Sequence, residues 1–191
     1  MKKALLAALI SGIALPALAQ APAQPPAAAP PQPGAAAPAQ AVQTFEGPIV
    51  GAKGDQIGKI AIRSSENATV VRVTINPGGL APGWHGTHFH SIGDCSDVGQ
   101  FQLSKGHINH ENAKHGLLHP EGPDEGDVPN VYANADGSVN AELSTESIVL
   151  NGPQGLKDGD GSALVIHANE DDHITQPIGN AGARVACAVI K

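Results

Sequence analysis

Nine histidines occur in this 191-residue chain, and all of them fall between residues 85 and 173. Ordinary surface histidines would be scattered more widely. The densest group is Gly86-Thr87-His88-Phe89-His90. On an extended strand, residues i and i+2 share a face. His88 and His90 therefore offer two imidazoles to one ion, while Phe89 packs on the opposite side. Alone, such a pair is a weak sign. His107, His115 and His167 strengthen it, because three or four imidazoles suit copper or zinc. His110, His119 and His173 read as solvated loop residues.

Short strands must position these rings. Val71, Val73 and Ile75 alternate with Val70, Arg72 and Thr74. Ile60 and Ile62 alternate with Lys59 and Arg63. Leu164 and Ile166 alternate with Val165 and His167, and Val185, Cys187 and Val189 close the chain in the same style. Each is a period-two run rich in β-branched residues. Asp136-Gly137, between Tyr132–Ala135 and Ser138–Leu143, predicts a hairpin. No stretch of 42–191 has a capped 3.6-residue period. The expected class is all-β, a Greek-key sandwich or barrel. Residues 92–130 break the alternation with Gly, Pro, His and Asp. A loop of this length in a compact domain is usually functional.

The chain outside this domain reads differently. Lys2 and Lys3 precede an apolar run, Leu5 to Leu15, which is short for a bilayer span. Ala17-Leu18-Ala19 is a small-x-small cleavage site, so residues 1–19 read as a signal peptide and Gln20 as the mature start. Residues 20–41 are nearly all Ala, Pro, Gln and Gly, a spacer inclined to polyproline II. Residues 42–191 remain for one folded domain. With Lys2 and Lys3 removed, nine bases face eighteen acids. That balance disfavours nonspecific binding to nucleic acid or anionic membrane, and no membrane insertion is expected after cleavage. The two cysteines, Cys95 and Cys187, read as one disulfide in an exported chain. Two thiolate metal ligands are the alternative.

Four ordered motifs resemble the copper/zinc superoxide dismutase family, in its bacterial periplasmic form. Trp84-His85-Gly86-Thr87-His88-Phe89-His90, followed by Gly93-Asp94-Cys95, resembles its copper-site signature. Gly106-His107 and His115-Gly116 resemble the segment with its bridging histidine and first zinc histidine. Gly161-Ser162-Ala163-Leu164-Val165-Ile166-His167 resembles the strand with its last copper histidine. Gly179-Asn180-Ala181-Gly182-Ala183-Arg184-Val185-Ala186-Cys187 resembles its C-terminal signature. The resemblance runs from about residue 43 to 190 and implies about eight antiparallel strands with long metal-binding and electrostatic loops.

The resemblance also implies dismutation of superoxide to oxygen and hydrogen peroxide at a redox copper. Copper would be held by His88, His90, His107 and His167, with His107 bridging to zinc. His115 and Asp127 would be zinc ligands. Asp171 would link a copper histidine to a zinc histidine. His85 would tie the barrel together without binding metal. Arg184 would steer the anion, and Cys95–Cys187 would pin the metal loop to the barrel. Superoxide is the implied substrate, a homodimer remains open, and the implied location is periplasmic or secreted.

The chain departs from the family where a zinc histidine is usual. Gly122-Pro123-Asp124-Glu125-Gly126-Asp127 puts Asp124 there. Zinc accepts carboxylate oxygen, so a set of His107, His115, Asp124 and Asp127 is expected. His119 or His110 could replace Asp124, and an empty zinc loop on a copper-only dismutase is the third arrangement. A solvated acidic loop at Glu121, Asp124 and Glu125 is the bland reading. Ser91 stands where an acidic or amide residue is usual, and His110 where proline is usual. A non-enzymatic copper-binding domain of the same fold is the remaining rival. It would not need Arg184.

Overall fold

Alternation along the chain sets which residues face inward. In the computed structural model, Val71, Val73 and Ile75 are buried while Arg72 between them is exposed. Ile60 and Ile62 are buried between exposed Lys59 and Arg63. The structure describes residues 41–191. The signal peptide expected over 1–19, and the spacer expected over 20–41 as far as Gln40, lie outside the described residues.

Nine strands form, and the described residues contain no α-helix. They are β1 (Gln43–Gly51), β2 (Gln56–Ser64), β3 (Thr69–Ile75), β4 (Gly83–His85), β5 (Thr87–His90), β6 (Val131–Ala133), β7 (Val139–Thr145), β8 (Ser162–His167) and β9 (Arg184–Ile190). A curled antiparallel sheet has the order β5-β8-β9-β1-β2-β3-β7, and β4 pairs separately with β6. β4 and β5 are one run interrupted at Gly86. There the Gly86 N–H donates to Asn169 and the Gly86 carbonyl accepts from His167, both at 2.8 Å. Counting that run once restores the expected eight strands.

The main core lies inside the curl. Ile49, Ile60, Ile62, Val73, Phe89, Leu164, Ile166 and Ile190 are among its almost fully buried members. Burying each such side chain stabilises the fold by about 1.5–3 kcal/mol relative to leaving it exposed. β8 is buried along its whole length because both its faces are covered. Leu164 and Ile166 enter the main core. Ala163 and Val165 meet a second cluster with Cys95, Phe101 and Cys187.

Two expectations change in detail. In β9 the main-core side is Ala186, Ala188 and Ile190, whereas Cys187 and Val189 belong to the second cluster. The Asp136-Gly137 turn forms, with Gly137 at φ 80° and its N–H donating to the Asn134 carbonyl at 2.8 Å. Yet β6 pairs with β4 while β7 pairs with β3. The turn passes the chain from one sheet to the other instead of closing an ordinary hairpin.

β5 ends the large sheet, and the loop over residues 92–130 covers its outer edge. The Phe89 N–H donates to Gly126, the Ile108 N–H to Phe89, and the Ser91 N–H to Gly106, at 2.8–2.9 Å. Isolated bridges join His88 to Asp127 and His90 to His107. Edge pairing thus fixes the loop against the strand that carries two histidines.

Candidate metal centre

His88 and His90 occupy the same face of β5, and both are fully buried. Phe89 enters the hydrophobic core behind them. β8, the neighbouring strand, ends at His167. The loop bridge to β5 brings in His107. The four rings pack together. The centroid of His88 is 4.2 Å from that of His107 and 4.9 Å from that of His167, and His90 lies 5.2 Å from His107.

Each ring uses one nitrogen to fix its orientation. His88 Nε2–H donates to Asp171 Oδ2 at 2.8 Å. His90 Nδ1–H donates to the Lys105 carbonyl at 2.7 Å, and His167 Nδ1–H to the Gly182 carbonyl at 3.0 Å. His107 Nδ1 lies 2.9 Å from Asp124 Oδ2. The other nitrogens are buried without a hydrogen-bond partner: His88 Nδ1, His90 Nε2, His107 Nε2 and His167 Nε2. Burying a polar atom unpaired is unfavourable, and a metal ion is a partner that such nitrogens could take. Ligating atoms of His88, His90 and His167 lie within 4.8 Å of one another. Burial pushes His88 down to about 3 and His167 to about 4. Burial, then the neighbouring His107 and Arg184, hold His90 well below its ordinary range. These rings are neutral near pH 7, as a metal ligand must be.

A second group adjoins the first. His107, His115, Asp124 and Asp127 also place ligating atoms within 4.8 Å of one another. His115 Nδ1 is 2.6 Å from Asp127 Oδ1, and its Nε2 is 3.1 Å from Asp171 Oδ1. Burial alone would lower His115, but the hydrogen bonds and charges of Asp127 and Asp171 raise it to about 10. Burial would likewise raise Asp127, but the hydrogen bonds from His115 and the Gly116 N–H, with the nearby His115 and His107, together outweigh it and hold the carboxyl below its ordinary value. Carboxylates and imidazoles concentrated in a nearly dry space suit a divalent cation. Asp171 joins the groups, one oxygen on His88 and the other on His115. Gly179 makes room for it. At φ 58°, a Cβ there would collide with the Asp171 carboxylate.

Arg184 is half-buried beside this centre and is the β9 partner of His167. Its Nη1 donates to the Phe101 carbonyl at 2.7 Å and to Ser104 Oγ at 3.1 Å. Burial lowers its pKa from the ordinary value, but a guanidinium keeps its charge. Phe101 and Ser104 were not singled out by the sequence. Both lie where alternation is lost, and Phe101 takes a left-handed φ of 53° that no residue pattern announces.

The remaining sequence candidates separate cleanly. Cys95 and Cys187 are disulfide-bonded with Cα atoms 6.0 Å apart, which rules out thiolate ligation. His85 places its ring nitrogens 2.7 Å from the His167 carbonyl and 2.8 Å from the Ala81 carbonyl. His110 is exposed beside Glu125, and His119 Nδ1 accepts the Glu121 N–H. Neither joins a metal-capable group among the described residues. Ser91 contributes its N–H to the loop pairing. His173 differs from expectation. Its side chain is 19% exposed, with Nδ1 3.4 Å from Asp171 Oδ2.

The family model described as copper/zinc superoxide dismutase matches residues 56–190. A copper-zinc superoxide dismutase of Caulobacter vibrioides is 44% identical over 142 residues, covering 72% of this chain and 80% of that protein. Copper-zinc superoxide dismutase 1 of Aquifex aeolicus is 38% identical over 147 residues, covering 75% and 85%. Among solved structures, a superoxide dismutase-like protein from Bacillus subtilis matches with a TM-score of 0.72 and 32% identity, covering 79% of this chain and all of that one.

Proposed function

The chain belongs to the copper/zinc superoxide dismutase family and dismutes superoxide to oxygen and hydrogen peroxide with copper and zinc as cofactors, and on that premise we propose how its own residues divide the work. Copper would be held by His88 Nδ1 and the Nε2 atoms of His90, His107 and His167. Zinc would be held by the Nδ1 atoms of His107 and His115 and by carboxylate oxygens of Asp124 and Asp127. The observation that carries this reading is the set of four buried, unpartnered ring nitrogens on packed rings. Bound copper supplies the one-electron chemistry that zinc lacks.

The protein residues do the positioning. Asp171, the Lys105 carbonyl and the Gly182 carbonyl each hold one N–H of a copper histidine, leaving the opposite nitrogen as the ligand. His107 has one nitrogen toward each group, so its Nε2 is the atom that can hold a proton during turnover. Arg184, anchored through Nη1, keeps the rest of its fork for the anion. Residues 169–176 contain no lysine, so steering in this acidic chain rests mainly on Arg184.

Zinc binding at a carboxylate-altered site is favoured over a copper-only centre, because Asp124 is buried and turned toward His107. Export to the periplasm or the exterior is supported by the signal-like first nineteen residues and by the disulfide, which persists in oxidising compartments. The deciding experiment is metal analysis of the purified mature protein with a superoxide assay, repeated on His167→Ala. One copper and one zinc per parent chain are expected, and a folded but inactive variant lacking copper. Full activity in His167→Ala would refute the copper assignment.

A further inference from the structure

Two exposed loops meet at this centre without any secondary structure to pair them. Each solves the problem with a side-chain amide from the other. Gln176, in the loop after β8, accepts the His115 N–H at Oε1 over 3.1 Å. Its Nε2 donates to the His115 carbonyl at 2.7 Å and to the Ile174 carbonyl at 2.9 Å. Asn130, at the end of the metal loop, does the reciprocal. Its Oδ1 accepts the Asp171 N–H at 3.1 Å and its Nδ2 donates to the Asp171 carbonyl at 2.9 Å. One amide thus engages both main-chain groups of one residue, as a neighbouring strand would.

These clasps complete the hydrogen bonding of two key residues. His115 has its N–H and carbonyl on Gln176, Nδ1 on Asp127 and Nε2 on Asp171. Asp171 has its N–H and carbonyl on Asn130, Oδ1 on His115 and on the His173 N–H, and Oδ2 on His88. Main-chain groups near a packed centre must find partners, and here the partners also fix where the ring and the carboxylate stand. Contacts that orient a ligand in this way commonly govern metal affinity.

We propose that Gln176 is a positioning residue of the zinc site, holding the main chain of His115 so that its Nδ1 meets the ion, with Asn130 as the matching clasp on Asp171. The inference rests on the assignment of His115 to zinc. It has a built-in asymmetry. Of the proposed metal ligands and their partners, Gln176 grips only His115, whereas Asn130 acts through Asp171 on His115 and on the copper histidine His88. A purely structural role would not distinguish the two metals.

The test uses the mature chain with Gln176→Met, which keeps length but loses all three hydrogen bonds, alongside Asn130→Leu and His115→Ala. Zinc affinity is measured by competition with a chromogenic chelator, copper affinity separately, and the melting temperature on metal-free protein. Gln176→Met should weaken zinc about tenfold, the lower end of what such partners contribute. It should leave copper affinity unchanged, lower metal-free melting only modestly, and speed exchange of the His115 amide. Asn130→Leu should weaken both metals. If His115→Ala abolishes zinc binding while Gln176→Met keeps it within about twofold, a change too small for an orienting contact, the inference fails and the zinc assignment stands. Equal loss of both metals in Gln176→Met would also overturn it, since a general loosening of the fold would then account for the change. Undiminished zinc binding in His115→Ala would remove the assignment and the inference together.

Discussion

Arg184 stands opposite His167 across the β8–β9 pair, just past the register shift at Ile166/His167. The one residue proposed to attract the substrate is therefore fixed to the strand end that carries a proposed copper ligand. Arg184→Glu should lower kcat/KM strongly and leave copper content unchanged. It should also weaken the decline of rate with added salt, because screening then has less attraction to remove. Stopped-flow decay of superoxide at several ionic strengths measures this. An unchanged rate would count against the steering role.

The disulfide reaches the same arginine from the other side. Cys187 lies three residues after Arg184 on β9, and its partner Cys95 belongs to the loop that includes Phe101 and Ser104. Removing the bond with Cys95→Ser and Cys187→Ser should destabilise the fold by up to about 4–5 kcal/mol on the chain-entropy account. It should also loosen the hold on Nη1 and lower kcat/KM below the parent value in protein that is still folded. Denaturant titration and kinetics on the double variant check both parts. Full activity with full stability would contradict them.

Asp124→His restores the imidazole usual at that position and should tighten zinc. Each tenfold gain in affinity adds about 1.4 kcal/mol to the folded state at saturating metal. The comparison must be zinc-loaded against zinc-free protein, because the change also deletes the Asp124 Oδ1 bond to the Gly126 N–H. In the parent, zinc should leave before copper during graded chelation. Zinc-free parent protein under excess zinc, together with an unaltered variant, would favour a copper-only centre.

In metal-stripped protein, stability should peak near neutral pH. His88 at about 3 and His167 at about 4 lie below the unfolded value of 6.5. As pH falls below about 6.5, the unfolded chain therefore binds protons first and gains on the native state. His115, raised to about 10, acts oppositely. Its contribution is complete below about 6.5 and is lost as pH rises through 10. Urea melts at acid, neutral and alkaline pH should show this dome, and a profile flat across that range would contradict it.

Much of the centre was legible because its residues carry chemical signatures. The spacing of His88 and His90 stated their shared face, and the lone cysteine pair stated the bond. β2 and β3 were legible because each has one wet face. β8 was harder, since a strand buried on both sides loses its alternation. The route of β6 and β7 into different sheets was not readable, because a turn dipeptide specifies a bend and not the strands that pair beyond it. Carbonyls that hold His90, His167 and Arg184 leave no trace in residue type. Asn130 and Gln176 are polar loop residues like many others until two distant loops are brought together.

The metal loop laid along β5 has a consequence for behaviour in a crowded solution. An end strand with free N–H and carbonyl groups is a template on which another chain can grow. Residues 106, 108 and 126 occupy that template, and they lie beside His107 and Asp127, two of the proposed zinc ligands. On that assignment, demetallation would endanger more than turnover. It would release the guard from an otherwise sticky seam, so self-association should rise with metal loss before the barrel itself melts.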